Sequence, residues 1–212
     1  MYELYYYPRN ASLAPHLVLE ELGLEFKLIL VDREANAHNS ADYLALNPTG
    51  KIPALVDNDL VMFESAAICL YLCEHSASSN LIPQVNTSSR ALFYQWLMYL
   101  TNTIQSGLMV YYYPERHTTD KAATAEISAA QEGRITEMFA LLDRALVGKN
   151  FLVSEHITVC DYFLLMLCMW AEEFTKPPLS FPHLGAHLRK LTKRRAVLEV
   201  CKREQLNLSK YN

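Results

Sequence analysis

The sequence predicts an α+β fold in which a small mixed sheet, covered by helices on both faces, is followed by an all-helical domain. Strand-like and helix-like segments alternate in the first third of the chain, and no strand-like alternation follows residue 89. Residues 76–89 form a polar stretch rich in Ser and Asn, which is typical of a linker between domains. We therefore assign residues 1–77 to an α+β domain and residues 88–212 to an all-helical domain.

The first strand, helix and strand follow from aromatic and apolar patterning. Tyr2–Tyr7 is rich in aromatic residues and ends at a proline, which predicts a strand that runs into a loop. A helix can open at Ser12 or Pro15, it places its apolar residues on one side, and Gly23 closes it. Phe26–Val31 then predicts a second strand.

A short helix, a hairpin and a longer helix complete the first domain. The short helix is predicted over Ser40–Leu46, and a turn-rich segment follows it. Ala54–Val56 and Leu60–Phe63 flank the polar residues 57–59, which is the pattern of a β-hairpin. Glu64-Ser65 begins an apolar helix that runs to about residue 75. The predicted order is β-α-β-α-β-β-α.

The remainder of the chain has a helical pattern. The predicted helices cover residues 89–112, 124–146, 158–174, 182–193 and 196–204. The third of these is apolar on every side and is therefore expected to be a central core helix. Thr158 at its start and Asp161 three residues later can each satisfy a free helix N–H group. We therefore interpret Asp161 as structural rather than catalytic.

Composition excludes several classes of function. The chain has 212 residues, 51% of them hydrophobic, and a net charge of −4 from interspersed charges, so no basic surface for nucleic acid is expected. The longest apolar segment is shorter than the roughly 20 residues that span a bilayer, and the N-terminus lacks a secretory pattern. A cytoplasmic protein without a membrane segment is expected. Five cysteines without a C-x-x-C pair predict neither disulfides nor a metal site.

Three motifs follow one another along the chain: Asn47-Pro48-Thr49-Gly50-Lys51-Ile52-Pro53-Ala54-Leu55, Glu64-Ser65-Ala66-Ala67-Ile68 and Thr158-x-x-Asp161. In this order, they resemble the motifs of the cytosolic glutathione S-transferase family. The resemblance covers the whole chain and is to bacterial members, nearest the beta class. It implies a thioredoxin-like N-terminal domain, a helical-bundle C-terminal domain that contributes the pocket for an apolar electrophile, and a homodimer.

The resemblance also implies a binding site for glutathione in the first domain. It places a cis peptide bond at Ile52-Pro53, and the backbone of Ile52 would pair with the cysteinyl unit of the tripeptide as an added strand does. The helix that begins at Ser65 would hold the γ-glutamyl carboxylate, with Glu64 accepting a hydrogen bond from the ligand's ammonium group. Lys51 would balance the charge of the glycine carboxylate.

Activation of the sulfur is assigned to the segment after the first strand. A free thiol has a pKa of about 8.5, so a catalyst at neutral pH must stabilise the thiolate. When the family is aligned on the proline after the first strand, Ala11 stands where the beta class has its cysteine, which disfavours mixed-disulfide chemistry. The candidates are the Ser12 hydroxyl, the Asn10 amide and the N–H groups that open the first helix, followed by Tyr6.

The predicted function is conjugation of the thiolate of reduced glutathione to electrophilic small molecules, a detoxification reaction. Glutathione is then a co-substrate, and no cofactor is expected. The alternatives are a glutathione-dependent peroxidase or thiol transferase, and a non-catalytic or regulatory protein on the same scaffold, which the missing cysteine keeps open. In the helical domain, Tyr111-Tyr112-Tyr113 either lines the electrophile pocket or packs between the domains.

Overall fold

The computed structural model describes residues 1–76 and 79–212. Strand β1 (Tyr2–Tyr6) is an inner strand of a four-stranded sheet. The other strands are β2 (Phe26–Leu30), β3 (Ala54–Asp57) and β4 (Leu60–Phe63), and the spatial order is β2-β1-β3-β4. β1 runs parallel to β2 and antiparallel to β3, and β3 and β4 form the antiparallel hairpin. The predicted mixed sheet is confirmed.

The helices of this part of the chain are α1 (Leu13–Glu21), α2 (Ala41–Leu46) and α3 (Ser65–Glu74), so the order β-α-β-α-β-β-α is also confirmed. α1 packs against α3, and seven of its nine residues, from Leu13 to Leu19, are buried. Gly23 follows α1 with a φ of +63°, a left-handed conformation that glycine adopts without steric cost. The Ser40 hydroxyl caps α2 by accepting a hydrogen bond from the Tyr43 N–H at 3.2 Å.

The second part of the chain is helical, as predicted. The single helix expected over residues 89–112 is α4 (Ser88–Met98), a π-helical segment (Tyr99–Gln105) and α5 (Ser106–Tyr112) in succession. The further helices are α6 (Thr124–Ala145), α7 (Val159–Trp170) and α8 (Pro182–Leu191).

Helix α7 is the core helix of this part, because each residue from Val159 to Met169 is buried. The capping box at its start is present, and both oxygens of Asp161 are used inside the protein. Oδ2 accepts a hydrogen bond from the Thr158 N–H at 2.8 Å, and Oδ1 accepts one from the Leu152 N–H at 2.9 Å. These bonds agree with a structural role for Asp161.

The last helix, α9 (Arg195–Arg203), differs from the prediction in its packing. The helix forms as expected, but it packs on α1 of the first domain rather than on the helical domain to which it was assigned. Its buried residues are Ala196, Val197, Val200 and Cys201. An ion pair of 3.0 Å between Arg203 and Glu20 adds to this contact. The amphipathic pattern of α9 predicts that it covers an apolar surface, but it does not indicate which one.

The chain accordingly divides into two compact units that differ from the predicted domains. The first contains residues 1–82, 192–210 and 212, and the second contains residues 83–191 and 211. The predicted end of the first domain, at residue 77, lies outside the described residues. Among the helices of the two described ranges, none is both long enough and apolar enough to span a bilayer.

Candidate functional site

The register of the sheet brings three segments of the predicted site to one end of it. Tyr5 lies opposite Ala54 in the antiparallel pair of β1 and β3, and Ala54 lies opposite Phe63 in the pair of β3 and β4. The loop after β1, the turn before β3 and the start of α3 therefore leave the sheet side by side. These segments carry the predicted residues Tyr6, Asn10, Ser12, Lys51, Ile52, Pro53, Glu64 and Ser65.

The turn before β3 has the geometry that the resemblance implies. The Ile52-Pro53 peptide bond is cis, which confirms that prediction. The Ile52 residue is only 7% exposed, and within the described ranges its backbone N–H and C=O groups make no hydrogen bond. Backbone groups of this kind are normally paired, so this position is suited to an extended peptide that adds its own N–H and C=O groups.

A buried amide that the sequence analysis did not single out holds this turn. Asn47 is 2% exposed, and its Nδ2 donates a hydrogen bond to the Lys51 carbonyl at 2.7 Å. Its Oδ1 accepts hydrogen bonds from the Thr49 N–H at 3.1 Å and the Thr49 hydroxyl at 2.7 Å. The Tyr43 hydroxyl donates a second bond to the same Lys51 carbonyl, at 2.6 Å. The position of Asn47 at the start of the motif was visible in the sequence, but its partners depend on the folded loop.

The start of α3 has free N–H groups. Glu64 precedes the helix with a φ of +73°, and its side chain makes no capping hydrogen bond. The first three N–H groups of the helix, those of Ser65, Ala66 and Ala67, have no hydrogen-bond partner in the part of the chain that the structure describes. Together with the partial positive charge of a helix N-terminus, these groups favour the binding of a carboxylate.

In the loop after β1, the structure separates the two leading candidates for thiolate stabilisation. Ser12 is fully buried, its Oγ accepts a hydrogen bond from the Tyr7 N–H at 3.3 Å, and its hydroxyl donates to the Tyr7 carbonyl at 3.1 Å. The proton of the Ser12 hydroxyl is therefore already used. Asn10 is half-buried, and its Oδ1 accepts from the Ala11 N–H at 2.7 Å. Its Nδ2 has no partner among the described residues, so this arrangement favours Asn10 over Ser12 as a donor.

Tyr6 lies on the sheet face that α1 covers. Its ring is 6.3 Å from the ring of His16, centroid to centroid. Burial, and then the nearby Glu204 carboxylate, raise the pKa of the Tyr6 phenol, so that it remains protonated at neutral pH. Tyr5 and Tyr7 lie on the opposite face, where they pack against the cluster that contains Tyr43. The contacts of Tyr6 are thus directed at the interior.

The tyrosines proposed for the electrophile pocket have partners inside the helical unit. The Tyr111 ring packs on Phe174 with centroids 4.6 Å apart, and the Tyr112 hydroxyl donates to the Trp170 carbonyl. The centroid of the Tyr113 ring lies 4.1 Å from the guanidinium carbon of Arg116. An aromatic surface is present in this unit, and its role in substrate binding stays a prediction.

Comparison with known proteins agrees with this geometry. The model of the glutathione S-transferase N-terminal domain matches residues 2–74, and the model of the C-terminal domain matches residues 100–194. The chain is 26% identical over 206 residues to the glutathione S-transferase GstA of Escherichia coli O157:H7, covering 96% of this chain and 99% of that protein.

Two solved structures are also similar over nearly the whole length. A sphingomonad glutathione S-transferase complexed with glutathione is 28% identical, with a TM-score of 0.83 and coverage of 97% of this chain and 100% of that one. The beta-class glutathione S-transferase of Sphingomonas chungbukensis is 26% identical, with a TM-score of 0.84 and the same coverage of 97% and 100%. With both family models matched in order and these likenesses spanning the chain, the protein belongs to the glutathione S-transferase family.

Proposed function

We propose that the protein is an enzyme that conjugates the thiolate of reduced glutathione to electrophilic small molecules. One observation carries this proposal. At the same end of the sheet lie the backbone of Ile52 and the first N–H groups of α3, and neither has a hydrogen-bond partner among the described residues. The first can pair with a peptide and the second can bind a carboxylate. Membership of the glutathione S-transferase family, and the glutathione bound in the sphingomonad relative, support the same ligand.

The tripeptide is placed by matching its groups to these residues. Its cysteinyl backbone pairs with Ile52, next to the cis Pro53, and its γ-glutamyl carboxylate accepts from the first N–H groups of α3 and the Ser65 hydroxyl. Glu64 is exposed and accepts from the ligand's ammonium group, and the exposed Lys51 faces the glycine carboxylate. The backbone of the protein thus supplies much of the recognition, and the charged side chains complete it.

The thiolate is stabilised by the loop after β1. Lowering a thiol pKa by about two units requires about 2.7 kcal/mol of preferential stabilisation of the anion, which one or two well-placed donors supply. We assign the Asn10 amide as the first of these. The N–H groups that open α1 are less suited, because the Leu13 N–H already donates to the Asn10 carbonyl at 3.0 Å and Pro15 has no N–H group. Ser12 supports this loop by holding the backbone of Tyr7. The aromatic residues of the helical unit bind the electrophile.

The protein is proposed to act as a cytoplasmic homodimer. Each of its five cysteines is buried and none forms a disulfide, in keeping with a reducing compartment. Apolar side chains are exposed on the edge strand β4, where Leu60, Val61 and Phe63 are 42%, 40% and 38% exposed. In the helical unit, Leu92 and Met98 of α4 are 43% and 45% exposed. In the proposed homodimer, a second copy of the chain would cover these side chains.

Calorimetric titration with reduced glutathione tests the proposal. Binding is expected below millimolar concentration, and the absence of heat at millimolar ligand would refute it. The ultraviolet absorbance of the bound thiolate, followed against pH, then assigns the activating residue. Asn10→Ala is expected to raise the apparent pKa of the bound thiol most, Ser12→Ala to raise it less because Ser12 only holds the loop, and Tyr6→Phe to leave it unchanged. Binding with an unaltered thiol pKa in the wild type would indicate a non-catalytic binding protein.

A further inference from the structure

A carboxylate near the C-terminal end of the chain is buried next to the loop that carries Asn10. Glu204 follows the last residue of α9, and its side chain has no exposed surface. Its Oε2 accepts a hydrogen bond from the backbone N–H of Arg9 at 3.0 Å. Its Oε1 lies 2.7 Å from Nδ1 of His16, whose side chain is equally buried. Glu204 therefore joins the loop after β1 to helix α1.

The two partners of Glu204 have different tasks. Arg9 has a φ of +58°, a left-handed conformation that residues other than glycine rarely adopt, and the bond from its N–H holds the backbone there. The next residue is Asn10, so the conformation of Arg9 sets the direction of the Asn10 side chain. His16 uses Nδ1 on Glu204, and its Nε2 has no hydrogen-bond partner among the described residues. The polar contact of His16 thus serves to orient the carboxylate.

Attachment of α9 does not require a buried charge at this point. The helix already has an apolar face against α1 and surface ion pairs from Arg203 to Glu20 and from Arg194 to Glu21. Moving a carboxylate out of water is costly unless hydrogen bonds compensate for it, and here one of its oxygens accepts a hydrogen bond from the loop that carries Asn10. This arrangement is expected where the position of the loop matters for activity.

We propose that Glu204 is a positioning residue, which fixes the Arg9 backbone and thereby directs the Asn10 amide at the sulfur of bound glutathione. His16 orients Glu204 for this task. The proposal rests on the proposed function, because it acts through Asn10. It assigns a part in thiolate activation to a residue nearly two hundred positions away from the loop in sequence.

Glu204→Gln, compared with Glu199→Gln, tests the proposal. Glutamine keeps the shape of the side chain but removes its charge, so the Arg9 N–H faces either an amide nitrogen, which cannot accept a hydrogen bond, or a neutral amide oxygen, which accepts more weakly than a carboxylate. Glu199 lies on α9, which Glu204 follows, and it has no hydrogen bond among the described residues. Glu199→Gln therefore removes one negative charge without removing a hydrogen bond. In Glu204→Gln, the pKa of the bound thiol and the pH midpoint of activity should rise by about one unit, an approximately tenfold loss of thiolate at low pH. The KM for glutathione should change less than threefold. Glu199→Gln should behave as the wild type.

The outcomes separate this inference from the proposed function. If Glu204→Gln lowers the melting temperature but leaves the thiol pKa and kcat unchanged, Glu204 is only a structural residue and the inference is overturned. If the wild type itself does not lower the thiol pKa, the proposed activation by the loop fails, and the inference fails with it.

Hydrogen exchange on the wild-type protein tests the contact without any variant. The Arg9 amide belongs to an exposed loop residue, but its bond to a buried carboxylate predicts slow exchange. The internal reference is the backbone N–H of the exposed Lys51, because this N–H group donates no hydrogen bond among the described residues. Protection of Arg9 well above Lys51 supports the proposal, and equal rates would overturn it even if Glu204→Gln does not fold.

Discussion

Replacing Asn47 by alanine is expected to weaken glutathione binding while leaving the activation of the thiol unchanged. The substitution removes three close hydrogen bonds, one to the Lys51 carbonyl at 2.7 Å and two from Thr49 at 3.1 and 2.7 Å. At about 1 kcal/mol net for each bond, the free energy of unfolding should fall by about 3 kcal/mol. The Tyr43 hydroxyl still binds the Lys51 carbonyl, so the turn is loosened rather than lost.

Part of this loss should appear in binding, because glutathione must then order the Ile52 turn on its own. If roughly half of the 3 kcal/mol is recovered only when the ligand binds, the Kd for glutathione rises about tenfold. Titration calorimetry measures the Kd, urea unfolding measures the stability, and thiolate absorbance at saturating glutathione measures the thiol pKa. Asn102→Ala is the control, since Asn102 is an exposed residue of the π-helical segment.

A lower stability combined with an unchanged Kd would refute this reasoning, because the turn would then keep its binding geometry without Asn47. A shift in the thiol pKa would also refute it, since Asn47 lies before β3 whereas the proposed thiolate donors lie after β1.

Further predictions concern stability and use urea unfolding. A Cβ at Gly185 would lie 2.6 Å from the Leu179 carbonyl oxygen, so Gly185→Ala should cost about 1–3 kcal/mol, whereas Gly133→Ala, with nothing within 4 Å, should add about 0.5–1 kcal/mol. The reverse order would contradict the packing. Asp161→Asn should cost about 3 kcal/mol because the capping box loses a buried acceptor, and a cost below about 1 kcal/mol would contradict that role. Burial raises the pKa of the Cys73 thiol from 9.0 to about 12, so the folded state keeps the proton that the unfolded state loses. Stability should therefore be retained below about pH 9 and fall as the pH rises towards 12, and an identical fall in Cys73→Ala would rule out this cause.

Local patterns allowed elements of both units to be predicted. Gly23, the polar residues 57–59 and the Thr158-x-x-Asp161 pair act on their immediate neighbours, so their effects can be read without knowledge of the fold. The cis bond at Ile52-Pro53 was implied by resemblance to a family and was then found in the structure. In each case the interacting groups are close in sequence.

The remaining features depend on partners that the sequence does not identify. Ser12 is a good potential donor by residue type, but its proton is used because the Tyr7 carbonyl happens to lie 3.1 Å away. The face of α9 is clearly apolar, yet nothing in it distinguishes α1 from the helices that precede it in the chain. Glu204 follows that helix, so its place beside Arg9 could be predicted only after the packing of α9 was known.

The packing of α9 on α1 has a consequence for the order of events during synthesis. The ribosome makes β1 and α1 first and α9 last among the helices, so the surface of α1 that α9 covers stays open while the whole helical unit is translated. Domains that are continuous in sequence can fold one after another as they leave the ribosome. The first unit includes α9, so it cannot complete its packing until α9 has been translated. Nascent chains that stop before residue 195 should therefore bind chaperones through α1, even though every strand of the sheet has already been made.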